Sequence, residues 1–194
     1  MRFHSAHLGL LILVFAAPAG AQNQAPNPPV AAPATSGVAA SAAASAWRPF
    51  QEFAFLTGSW SGSAESGARV GGRVAHFTPQ FSGNYLVHRG STILTADDGK
   101  DETIEEVGYF TYDREKRRYV AWYFFSTGVT GTFDVEIAPE GLRLVSKELL
   151  NAEAGTKVRM LFLRKADGEL SLSTELAPGG RDYMPFLMSS LKKK

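Results

Sequence analysis

From Gly58 onward the chain is a succession of short runs in which apolar and polar residues alternate, separated by clusters of turn-forming residues. "GTFDVEI" (131–137) places Phe133, Val135 and Ile137 on one face and Thr132, Asp134 and Glu136 on the other. "ELSLSTEL" (169–176) sets Leu170, Leu172, Thr174 and Leu176 against Ser171, Ser173 and Glu175. Alternation with period two marks a strand with one buried and one wet side. "ADDGKD", "YDREKRRY", "APEG" and "KADGE" supply the hairpin connections between such runs. The pattern predicts strands near 58–66, 70–79, 84–95, 103–112, 117–126, 130–137, 141–149, 156–165 and 168–177, with a tenth at the end. Sequential hairpins at this spacing predict an all-β fold: an up-and-down antiparallel β-barrel of about nine or ten strands, with a sandwich as the alternative. Closing the sheet removes its edges, and a barrel of about eight or more strands can enclose one small ligand.

One run breaks the alternation. "RRYVAWYFFS" (117–126) carries Tyr119, Ala121, Tyr123 and Phe125 on one side and Val120, Trp122 and Phe124 on the other. Both faces call for burial. One is expected to point inward, and the other to be covered by a second copy of the chain or by "WRPFQEFAFL" (47–56). In that second segment Phe50, Phe53 and Leu56 recur at helical spacing, which predicts a short N-terminal plug helix.

The beginning of the chain differs from the rest. Residues 1–21 hold Arg2, an apolar run from Leu8 to Ala17, and the small-residue site Ala19-Gly20-Ala21. These are the parts of a secretory signal peptide, and the apolar run falls well short of the roughly 20 residues that span a bilayer. Residues 22–46 are dominated by Ala, Pro and Ser and contain no aromatic side chain, so they read as a disordered linker. The folded unit is then 47–194, and the expected destination is the periplasm or the medium outside the cell. The chain has no cysteine, so such an exported domain would hold together by its core alone. Removing residues 1–21 takes one arginine from the 20 basic side chains and leaves them equal to the 19 acidic ones. A balance near zero argues against nucleic acid as a partner, and nothing after the processed segment would span a membrane.

"FLTGSWSGSAES", a glycine two residues ahead of a tryptophan where the first strand begins, resembles the start of the nitrobindin family and of the lipocalin-like (calycin) barrels, including uncharacterised bacterial members. The resemblance implies that Gly58 lets the chain turn at the closed end of the barrel and that Trp60 plugs that end. In physical terms, glycine permits a tight entry and tryptophan is a large body whose N–H wants a partner. The terminus "YMPFLMSSLKKK" is similar in spacing to the nitrobindin end, with Leu187, Leu191, Lys192 and Lys193 matching. The nitrobindin resemblance implies heme and chemistry on nitric oxide or peroxynitrite. The position of its heme-ligating histidine holds Phe186, which has no donor for iron.

Candidate chemistry is sparse. His76 and His88 lie on neighbouring expected strands, and imidazole is a ligand for iron, copper or zinc, so the pair is a candidate heme or metal site. The alternative is that each is an ordinary strand residue. No carboxylate stands at ligand spacing to either, no cysteine supports a metal, and no cofactor is otherwise indicated. Ser82, Ser91 and Ser126 lack the glycine-flanked elbow of a nucleophile. Among the paired carboxylates, Asp97-Asp98 is turn chemistry, and Glu105-Glu106 would need one member shielded to act as an acid. No catalytic constellation emerges, so the reading is of a binding protein rather than an enzyme. The aromatic residues of successive strands form either a filled core or an apolar pocket for a small hydrophobic or amphipathic molecule. As a pocket, it would be lined by His88, Tyr85, Tyr109, Trp122, Phe133 and Phe162. The remaining expectation is an interaction module, a homodimer formed through 117–126.

Overall fold

The computed structural model describes residues 50–194, so the expected signal peptide, the linker and the first residues of the plug segment lie outside the described residues. Ten strands follow one another: β1 (Gly58–Ser66), β2 (Arg69–Gln80), β3 (Tyr85–Thr95), β4 (Asp101–Asp113), β5 (Arg118–Phe125), β6 (Thr130–Ala138), β7 (Gly141–Leu150), β8 (Lys157–Arg164), β9 (Leu170–Ala177) and β10 (Met184–Lys193). Each pairs antiparallel with its sequence neighbours, and β10 pairs with β1, from Trp60 opposite Lys193 to Glu65 opposite Met188. The result is a closed barrel rather than a sandwich. The nine expected ranges differ from the observed strands by at most two residues at either end.

The plug takes a tighter form than an α-helix. Phe50, Phe53 and Leu56 are spaced by three, the period of a 3₁₀ turn. The backbone obliges: Phe53 N donates to Phe50 O, Ala54 N to Gln51 O and Leu56 N to Phe53 O, each three residues back. Phe53 and Leu56 are fully buried. Phe53 meets Phe110 edge-on at 5.9 Å and lies against Tyr119 at 4.7 Å, so the segment caps one end of the barrel. The chain enters β1 through Gly58 at φ +122°, a conformation side-chain-bearing residues rarely adopt, and a Cβ there would lie 2.9 Å from Cε of Lys193. Trp60 is buried beneath this entry and donates its indole N–H to Leu56 O at 2.7 Å.

Inward positions form two apolar groups. The larger fills the barrel from the plugged end to its middle and includes Phe53, Trp60, Phe77, Phe110, Tyr123, Phe133, Leu144, Phe162 and Leu172. The smaller, Ala64, Leu94, Ile104 and Leu187 with Phe186 against it, lies toward the opposite end. There the inward residues Phe125, Leu149 and Leu176 are only partly buried and form an apolar rim, here called the mouth.

In β5, Ala121 and Tyr123 point inward and are fully buried, whereas Trp122 and Phe124 point outward at 38% and 48% exposure. The expectation that the N-terminal segment covers this outer face is corrected: its described part plugs the barrel end and leaves Trp122 and Phe124 bare. Ile137, expected to share burial with Phe133 and Val135, is 45% exposed because β6 reaches the rim there.

Because Phe53 is wholly enclosed by aromatic neighbours, Phe53→Ala is expected to cost about 3 to 5 kcal/mol. Urea unfolding of the two proteins should show the midpoint falling with little change in slope.

Candidate functional site

Between the two apolar groups the alternation does something unexpected: it turns charged residues inward. Arg73 shares its face of β2 with Ala75 and Phe77, and Glu106 shares its face of β4 with Ile104 and Phe110. Their side chains are 2% and 3% exposed and form an ion pair through Arg73 Nη2 and Glu106 Oε1. Two glycines make room for this polar layer. A Cβ on Gly90 of β3 would run into the Glu106 carboxylate, and one on Gly108 of β4 would lie 2.4 Å from the Tyr123 ring.

His88 stands beside the pair on β3. Its ring stacks on Phe77 at 4.3 Å with 7° between the planes, and its Nδ1 lies 3.1 Å from the Tyr123 hydroxyl. Its Nε2 is 3.9 Å from Glu106 Oε1. Complete burial holds the imidazole well below its usual pKa of 6.5, and the charge of Arg73 pushes the same way. His88 is therefore neutral, and its approach to Glu106 is not an ion pair. Burial raises the pKa of Glu106, an effect opposed by the charge and hydrogen bond of Arg73. Burial also lifts Tyr123 well above 10, and the Glu106 charge adds to that.

The layer is incompletely satisfied. Arg73 Nε, His88 Nε2, Thr92 Oγ1 and Ser189 Oγ are buried side-chain atoms with no hydrogen-bond partner. Thr92 lies directly opposite Arg73 across β2 and β3. Ser189 on β10 faces Ala64 of β1, one inward position closer to the mouth. Unpaired buried polar atoms are rare in a folded protein, because each forfeits its bonds to water. Several in one layer of one barrel set this region apart.

The expected pocket residues divide between the two sides of the sheet. His88, Phe133 and Phe162 are inside and buried. Tyr85, Tyr109 and Trp122 take the opposite parity and face outward, so they are removed from the interior lining. Tyr109 meets Phe124 edge-on at 6.3 Å and, with His76, Val87 and Arg89, borders an outer hollow of about 220 Å³. The expected histidine pair is also split. His76 lies outside, 2.9 Å from Ser59 Oγ through Nδ1, so it cannot share a ligand with His88. No cluster of three or more metal-ligating side chains occurs among the described residues. A heme does not fit the residues present: Phe186 packs against Leu187 and its neighbours without a donor, and the Nε2 of His88 faces the Glu106 carboxylate.

Arg73, Glu106, Thr92, Tyr123 and Ser189 were not expected at a site. The signal that marks the first two is parity, since opposite charges fall on the apolar faces of two strands separated by one hairpin unit.

No family model matches the chain, and no curated protein is similar to it. Among solved structures, the chain is similar to Rv2717c from M. tuberculosis, with a TM-score of 0.54 and 18% identity. The match covers 75% of this chain and 96% of that one. At this identity the likeness is one of fold.

Removing an unpaired buried hydroxyl, replaced by methyl in Thr→Val and by hydrogen in Ser→Ala, lifts a desolvation cost without breaking a bond. Thr92→Val and Ser189→Ala are accordingly expected to leave thermal stability unchanged or raise it by about 1 kcal/mol, read as a rise in Tm. The unfolded chain binds a proton at His88 below pH 6.5 and the folded chain resists it, so this residue's share of stability is present above 6.5 and lost as pH falls. Denaturant titrations below that pH should show a stability slope on the order of 1 kcal/mol per pH unit that flattens in His88→Gln.

Proposed function

We propose that this chain is an exported β-barrel that reversibly holds a small amphipathic molecule, its polar end at the Arg73–Glu106–His88 layer and its apolar part toward the mouth. The observation that carries the reading is the set of unpaired buried polar atoms beneath a rim of half-buried apolar side chains. A protein interior built for stability alone would use apolar residues there, and a ligand that completes these bonds explains their retention. Burial of the ligand's apolar part supplies affinity at about 25 cal/mol per Å². The export reading rests on the signal-like pattern of residues 1–21.

Native mass spectrometry of the purified chain, mixed with short-chain alcohols, acids and esters, should show a single adduct. Absence of any adduct, or a ladder of several, would reject interior binding.

A second reading concerns the outer face. Trp122 and Phe124 are exposed on the outer face of β5, with Tyr109 of β4 directly opposite Trp122. We propose this face as a homodimer contact through 117–126. Sedimentation velocity should show a concentration-dependent dimer that Trp122→Glu abolishes, and a monomer at every concentration would dismiss it.

A further inference from the structure

The polar layer also defines the kind of head group it receives, an inference that rests on the interior-binding reading above. The charges inside the barrel are already matched. Arg73 is bound to Glu106, both side chains are almost wholly buried, and His88 has no charge to add. An incoming carboxylate or phosphate would leave one negative charge uncompensated in a low-dielectric interior, a large penalty. An incoming ammonium would meet the same problem with opposite sign, because the Glu106 carboxylate is occupied by Arg73.

What the layer does offer is donors. Arg73 Nε–H can only donate, and the Thr92 and Ser189 hydroxyls can donate or accept. All three atoms are buried and unpartnered; Thr92 on β3 is opposite Arg73 on β2, and Ser189 on β10 is separated from β2 by β1. Around them toward the mouth lie Leu94, Ile104 and Leu187, which exclude water without offering polar contacts. The geometry points to a neutral ligand with a hydrogen-bond-accepting head, an alcohol, ketone, ester or amide, whose oxygen accepts from Arg73 Nε beside Thr92, with Ser189 one inward position nearer the mouth.

The test compares octanol, octanoate and octylammonium, which share one apolar chain and differ in head charge. Isothermal titration at neutral pH should find octanol bound at least about tenfold more tightly than either ion. Thr92→Val and Ser189→Ala should each weaken octanol several-fold while the Tm of the free protein holds or rises. Glu106→Gln, which frees the Arg73 charge, should shift the preference toward octanoate. Octanoate or octylammonium binding as tightly as octanol would overturn the neutral-head assignment while leaving interior binding intact. Binding of none of the three would overturn both. If Glu106→Gln fails to fold, the Thr92→Val comparison decides: octanol affinity unchanged in that variant would also overturn the assignment.

Discussion

A guanidinium taken out of water needs an opposite charge, and the middle of this barrel is arranged around that requirement. Arg73 and Glu106 stand on strands separated by β3, so their side chains must meet across the face of that strand. The meeting is possible because β3 has glycine at position 90, where any side chain would occupy the carboxylate's place. The same device recurs one strand later, where Gly108 admits the Tyr123 ring and brings its hydroxyl to His88. Two absent side chains thus determine where two large polar ones go. A buried pair of this kind contributes little net stability, since desolvation offsets most of its Coulomb attraction. Its presence in an otherwise apolar cylinder is better explained by what it holds in position.

The division of labour along the barrel follows from this layer. Below it, aromatic rings fill the interior down to the 3₁₀ plug, and their edge-to-face contacts leave the closed end with a fixed shape. Above it, Leu94, Ile104 and Leu187 are buried, and at the rim Phe125, Leu149 and Leu176 are only partly so. The aromatic half supports the layer from beneath, and the aliphatic half covers it. On the proposed reading, stability and binding would draw on different ends of the same sheet, and Thr92 would weaken the first while serving the second.

The fold was legible because hairpins leave two independent marks, alternating hydrophobicity and turn residues, and here the marks agree at almost every strand. The Gly58–Trp60 entry was legible for a similar reason, since both residues have steric roles that sequence alone expresses. The interior chemistry was harder to read. Hydropathy places charge on the wet side of a strand, and Arg73 and Glu106 violate that rule together, each masked by the other's compensation. Trp122 and Tyr109 misled in the opposite sense. In a strand apolar on both faces, the alternation has no phase, and the phase is set by neighbours. Gly108 and Ala121 are the small inward positions that fix it, and Tyr109 and Trp122 fall between them.

Closure by the last strand against the first has a kinetic side. Until Met184–Lys193 has been made, Gly58–Ser66 has no partner on one flank, and the growing sheet carries two unpaired edges. The cylinder therefore cannot close before its last strand, and that join spans nearly the whole folded length, a long loop to close. Whatever hairpins form earlier, the ring of hydrogen bonds is complete only when the last strand reaches the first.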